Sequence, residues 1–256
     1  MESRVKIIAA LKQIEKDRDC RILFAVESGS RAWGFASPDS DYDVRAVYVK
    51  PLDWYLQVNE PSTDTITEML PGDLDVVAWE LRKFLQHFNK SNASIFEWLG
   101  SPIVYADTGL LSKLNALKPG CTEPGRIAFH YASMFRHAME NRDPEGKISV
   151  KKLCYALRAS LCIRWVVERN TMPPTSFADV RAGVLLSEEE NRVIERLLML
   201  KAGAKESERI VPDKALDGLL RDRFDEVQGN RWPTSTHINN LSVITQIFQE
   251  QVKNNT

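Results

Sequence analysis

Every strand-like run in this sequence lies in its first eighty residues. Four short β-rich apolar stretches follow one another there: Arg21–Val26, Tyr42–Val49, Thr63–Leu70 and Asp73–Trp79. From Leu110 onward the apolar residues recur instead at helical spacing, over 109–117, 125–141, 148–169, 187–201, 206–228 and 236–253. Pro119-Gly120, Pro144–Gly146, Pro173-Pro174 and Trp232-Pro233 mark the loops between them. Two further amphipathic helices, over 3–18 and 80–89, flank the strand-rich part. A chain divided in this way folds as an α+β protein, with strands and their flanking helices first and a mostly helical part after. The change of character near 100–110 gives expected domains 1–107 and 108–256.

Charge follows the same division. The net charge of −1 hides an acidic first part, with 12 Lys+Arg against 17 Asp+Glu over 1–109, and a basic second part, with 22 against 18 over 110–256. That asymmetry suits a cation on one side and a polyanion on the other.

The stretch Glu27 to Arg45, ESGSRAWGFASPDSDYDVR, carries the chemistry. The first strand ends at Gly29-Ser30, where Ser30 is placed to cap a short helix from Arg31 onward. Backbone N–H groups, a hydroxyl and the Arg31 cation at such a turn make a phosphate site, and glycine lets the backbone come close to it. Asp41 and Asp43, two residues apart on the second strand, share one face. At roughly 4–5 Å they repel by about 3–4 kcal/mol in an effective dielectric near 20, so a positive partner, most simply a metal ion, belongs between them. Asp75, flanked by Leu74 and Val76 on the fourth strand, needs a polar site to face, since burying it would cost several kcal/mol. Arg45 lies on the same strand face as the two acids, suited either to a phosphate or to steadying the carboxylates. A Gly-Ser turn and an Asp-x-Asp pair are each common; strand, turn, short helix and acid pair in this order are not.

Elsewhere, Lys151, Tyr155 and Arg158 fall at i, i+4 and i+7 of one helix, a basic row with an aromatic able to meet a triphosphate or an acceptor strand. The opposite stripe, Val150, Leu153, Leu157, Leu161 and Trp165, reads as core. Trp33 reads as packing the short helix against the sheet and Trp98 as core. Glu27 is equally suited to orient Arg31 or to stand exposed at the strand end. Glu80, Arg82 and Lys83 read as helix surface, and Glu188–Glu190 after Ser187 as a capped helix start. His130 and His137 lack a third ligand for zinc. The cysteines Cys20, Cys121, Cys154 and Cys162 show no CxxC spacing and read as reduced thiols. No Ser-His-Asp arrangement, Walker A loop, GxGxxG turn or HExxH motif occurs. With no leader-like or membrane-spanning apolar run, the expected compartment is the cytoplasm, with no membrane partner.

GSRAWG, SDYDVR and the lone acid of LDV together resemble the DNA polymerase β-like nucleotidyltransferase superfamily. The segments ESGSRAWGFASPDSDYDVR, VVAWELRKFLQHFNKSNASIFEWLGSPIVY and KKLCYALRASLCIRW, spread over about 21–170, are similar to its predicted RNA repair pathway DNA polymerase beta branch. Ser94 and Leu153 depart from the branch pattern, away from the acids. The resemblance implies a nucleotidyltransferase mixed sheet in 1–107 and a substrate- or acceptor-binding helical domain in 108–256. Asp41, Asp43 and Asp75 would be catalytic and would hold two Mg2+ ions, with Mn2+ an alternative. Gly29, Ser30 and Arg31, with Arg45, Lys151, Tyr155 and Arg158, would bind the nucleotide. The implied reaction moves a nucleoside monophosphate from an NTP, ATP among the candidates, to an acceptor hydroxyl and releases pyrophosphate. RNA under repair is the implied acceptor and an RNA ligase a partner to expect. Nucleotidylation of a protein or small molecule, and a non-catalytic nucleotide- or RNA-binding module, are the competing readings.

Overall fold

A computed structural model of the protein describes residues 2–59, 63–140, 142–205, 207–229 and 240–255. The chain forms two compact units, one made of Met1–Ala32, Asp41–Cys121 and His237–Thr256, the other of Trp33–Ser40 and Thr122–Thr236.

The first unit is built on a five-stranded sheet. In chain order it holds α1 (Glu2–Arg18), β1 (Arg21–Glu27), the short α2 (Gly29–Trp33, whose last residue belongs to the second unit), β2 (Tyr42–Val49) and α3 (Leu52–Tyr55). It continues with β3 (Thr65–Leu70), β4 (Leu74–Glu80), α4 (Leu81–Asn89), α5 (Ala93–Leu99), β5 (Val104–Asp107) and α6 (Leu110–Cys121). The strand order is β3-β4-β2-β1-β5. Only β2 and β4 run parallel; the other pairs are antiparallel, so the sheet is mixed.

Side-chain alternation gives this sheet two different faces. Ala25, Val44, Ala46, Tyr48, Val76 and Ala78 pack with Ile7, Leu11 and Ile14 of α1 into one apolar cluster. The alternating residues face the other way, where Phe24 meets Phe84 of α4 edge-on with ring centres 5.5 Å apart. On that second face, at the N-terminal ends of β2 and β4, stand Asp43 and Asp75. The expected strands match closely, because each is an apolar β-rich run bounded by a turn signal. The hairpin joining β3 to β4 turns at Pro71–Asp73, with Gly72 at φ +88° as its left-handed corner.

Some local expectations change. The helix expected over 206–228 starts only at Lys214, after a short strand at Arg209–Ile210. The short helix starts at Gly29, not Arg31, and the Ser28 carbonyl accepts from the Ala32 amide, so Ser30 is a buried residue inside the first turn and not its cap. Helix α6 runs on through Pro119, where a loop was expected. A proline so close to a helix end removes only one late hydrogen bond, and the Asn240 side chain donates to the Gly120 carbonyl at 2.9 Å, satisfying a terminal acceptor.

The second unit is helical: α7 (Pro124–Met139), α8 (Val150–Arg169), α9 (Phe177–Ala182), α10 (Glu188–Gly203) and α11 (Lys214–Gly229), with a two-residue ladder between β6 (Ile148–Ser149) and β7 (Arg209–Ile210). Helix α8 is its centre, packed by α7, α9, α10 and α11. Ser149 caps α8 and Ser187 with Glu190 forms a reciprocal capping box on α10. The last helix, α12 (Leu241–Lys253), returns to the first unit and packs on α4. The expected helix over 236–253 begins in part outside the described residues. Among the described residues no helix is long and apolar enough to cross a membrane.

Candidate active site

The site is laid down by the turn that ends β1. The Ser28 amide donates to the Asp43 carbonyl at 2.8 Å, pinning the turn to the start of β2. Gly29 then adopts φ +58°, and a Cβ built there would stand 2.2 Å from Oδ2 of Asp43. Conformation and space both require glycine, and the backbone comes up directly against a carboxylate.

Asp43 and Asp75 are register partners on the parallel strands β2 and β4. One guanidinium nitrogen of Arg45, Nη2, lies 2.9 Å from an oxygen of each. The other, Nη1, donates to the carbonyls of Val44 and Asp75 at 3.0 and 3.2 Å. Two oxygens held by one nitrogen are close neighbours, and unaided they would repel by about 3 kcal/mol. The side chains of Asp43, Asp75 and Arg45 keep 26%, 23% and 18% of their surface open, so the group is reachable from solvent.

Asp41 sits just before β2 and is exposed. Arg31 donates from Nε to its backbone carbonyl at 3.0 Å and lays its guanidinium 3.9 Å from the Tyr42 ring centre. The structure thus joins Asp43, Asp75 and Arg45 at one point and Gly29 beside them, with Arg31 anchored on the Asp41 backbone. Among the described residues no trio of His, Cys, Asp or Glu side chains is gathered to hold a metal ion.

Glu27 plays a part that its sequence position left undecided. It is fully buried at the end of β1; Oε1 accepts the Asp43 amide at 2.8 Å, and the Tyr105 hydroxyl donates to Oε2. Burial pushes its carboxyl above the usual range, against the pull of those two hydrogen bonds. The Tyr105 phenol is pushed far up as well, by burial and then by its acidic neighbour. This pair fixes the backbone at Asp43 from beneath. Sequence reasoning missed Tyr105, which sits on a strand of only four residues.

The model of the RNA repair pathway DNA polymerase beta family matches residues 3–248. The chain belongs to that family. Over 202 residues it is 38% identical to the uncharacterized protein YcgL of Bacillus subtilis, covering 78% of this chain and 77% of the relative. A second relative, the uncharacterized protein MJ0002 of Methanocaldococcus jannaschii, is 24% identical over 139 residues, 54% of this chain and 56% of its own. Among solved structures, a nucleotidyltransferase-like protein from Exiguobacterium sibiricum aligns over 96% of this chain and 91% of its own at 14% identity. Its TM-score is 0.33.

For a member of this family the donor set can be tested against a divalent cation. Asp43 and Asp75 offer hard carboxylate oxygens, the ligands Mg2+ takes, on adjacent strands and partly open to water. They already share one positive group. Two carboxylates converging on one charge fit a cation; the third acid, Asp41, is exposed beside them and its carboxylate is not part of the cluster as it stands.

The remaining candidates from the sequence lie in the second unit. Lys151 and Tyr155 are half-buried on α8, and the Tyr155 ring meets Trp33 edge-on at 4.9 Å. Trp33 therefore packs with Phe35, Tyr155 and Arg158 of the second unit, where packing against the sheet was expected. Arg158 is fully buried, 4.4 Å from the Trp33 ring centre and 5.8 Å from that of Tyr131, with Nη2 donating to the Thr175 carbonyl at 3.1 Å. The open basic stripe expected on α8 ends short of Arg158, because helices cover α8 on several sides. Glu80, expected on the surface, is buried: it caps α4 through the amides of Arg82 and Lys83 and accepts the Tyr55 hydroxyl.

Proposed function

We propose that the protein is a Mg2+-dependent nucleotidyltransferase that moves a nucleoside monophosphate from an NTP to a hydroxyl of RNA, releasing pyrophosphate. The observation that carries this reading is the convergence of Asp43 and Asp75 on one positive charge beside a glycine turn. Asp43 and Asp75 would hold the divalent cation. When bound, that ion supplies charge neutralisation and Lewis-acid polarisation at the α-phosphate, worth several kcal/mol in such displacements.

Every other part of the work falls to the chain itself. Arg31 would offer a cation for the β,γ-phosphates that leave, beside a turn whose glycine seats the Asp43 carboxylate. Glu27 and Tyr105 keep the Asp43 backbone in place, so the carboxylate need not reorganise when substrate arrives. Phosphoryl transfer asks little covalent chemistry of a protein, so positioning and neutralisation supply most of the acceleration. The family description, an RNA repair pathway, supports RNA as the acceptor.

The test is incubation with each of the four α-labelled NTPs, Mg2+ and total cellular RNA. Label in RNA from at least one NTP is expected. Label appearing only on protein or a small molecule would replace the acceptor, and no transfer to anything would overturn the reading.

A further inference from the structure

We propose that Arg45 and a divalent cation compete for the same two carboxylates, so that Arg45 is the resident counter-ion of the cation-free site and withdraws when the cation arrives. The proposal rests on the reading of the site as a cation-dependent transferase centre and deepens it.

The geometry places the competition at one atom. Nη2 of Arg45 occupies the point 2.9 Å from Oδ1 of Asp43 and 2.9 Å from Oδ2 of Asp75. An ion bridging those two oxygens would lie between them, inside the contacts that Nη2 now makes, so the two would exclude each other. The charges favour the exchange, and the hydrogen bonds of Arg45 oppose it. One guanidinium leaves the carboxylate pair a net charge of −1, whereas a doubly charged ion neutralises it. Arg45 also has its Nη1 contacts with the Val44 and Asp75 carbonyls, which hold it in place. Leaving therefore gives up four charge-assisted hydrogen bonds, two of them ion pairs to carboxylates.

What the guanidinium does next follows from its chemistry. Its side chain is partly open to solvent and its stem rises from β2, so it can swing without disturbing the sheet. A planar fork freed beside a cation-bound triphosphate finds phosphate oxygens in the bidentate geometry that suits it best. Arg45 would then hold carboxylates before substrate binds and phosphate afterwards. A cation alone would bind against the arginine, whereas a cation arriving with a nucleotide would bind with its help. That favours the complex over the free ion.

The experiment is a Mn2+ titration of the full chain, without nucleotide, followed by electron paramagnetic resonance. It compares the wild type with Arg45→Gln, Arg45→Lys and Asp43→Asn, each checked for folding by circular dichroism. Competition predicts that Arg45→Gln binds Mn2+ roughly tenfold more tightly than the wild type, and that Arg45→Lys, which keeps the charge but not the fork, falls between. Asp43→Asn should lose the site. If Asp43→Asn loses Mn2+ while Arg45→Gln binds no more tightly than the wild type, competition is overturned and the cation site stands. If Asp43→Asn binds Mn2+ as the wild type does, the cation reading fails with it. Should Arg45→Gln not fold, Arg45→Lys decides alone: affinity equal to or below the wild type overturns the proposal.

Discussion

A Cβ at Gly29 would stand 2.2 Å from Oδ2 of Asp43, so the backbone of the first turn and the carboxylate of the second strand occupy one close-packed contact. The contact links stability to chemistry at a single residue. Gly29→Ala must place an L side chain at φ +58°, costing about 1–2 kcal/mol, and must also push the carboxylate aside. Gly72→Ala is the matched control: φ is +88° there and nothing lies within 4 Å of the added atom. Both variants should lose thermal stability, Gly29→Ala the more, but only Gly29→Ala should lose activity, by roughly a hundredfold for an ångström-scale displacement. Equal activity in the two would show that the Asp43 position is unimportant.

Glu27 makes the protein's stability depend on pH. Burial raises its folded-state pKa above the ordinary 4.5, so the folded protein holds this proton more tightly than the unfolded chain. The stability from that proton is fully present below about pH 4.5 and is lost as pH rises through the raised value. Glu27→Gln keeps an acceptor for the Asp43 amide and cannot ionise. Melting curves from pH 4 to 8 should therefore show the variant gaining on the wild type as pH rises. Parallel curves would mean that Glu27 is not held in a costly environment. Glu27→Ala should be worse at every pH, by about 2–4 kcal/mol, since it strands the Asp43 amide and the Tyr105 hydroxyl.

Arg158 separates a structural role from a binding one. Arg158→Lys keeps the charge but loses the planar stack on Trp33 and weakens the bond to the Thr175 carbonyl. A fall in Tm of roughly 5 °C is expected, with the KM for NTP unchanged in the folded protein. A raised KM at unchanged Tm would show that Arg158 binds the nucleotide.

Much of the sheet was legible in the sequence, and the reasons are local. Tyr42–Val49 reads as a strand because an apolar β-rich run ends at a proline two residues on. Asp75 stood out because an acid between Leu74 and Val76 has to face something polar. Its pairing with Asp43 could not be read, since a parallel register is set by topology and not by spacing. Strand β5 is four residues long, too short for periodicity, and exists because β1 offers it an antiparallel edge. The role of Glu27 depended on a hydroxyl 78 residues away. The stripe through Arg158 looked amphipathic because an arginine in a helix reads as surface; α8 is instead enclosed by its neighbours, and the charge is buried against aromatic rings.

The proposed transfer requires Asp43 and Asp75 to act together on a triphosphate. The most direct measurement is pyrophosphate released in a single turnover with Mg2+, total RNA and each NTP, compared between the wild type and Asp75→Asn. The account predicts release with at least one NTP and a loss of roughly a thousandfold in the variant, equivalent to about 4 kcal/mol of transition-state stabilisation. Its melting temperature should change little, because a partly exposed ion pair contributes at most about 1 kcal/mol. Release at an undiminished rate from Asp75→Asn would contradict it.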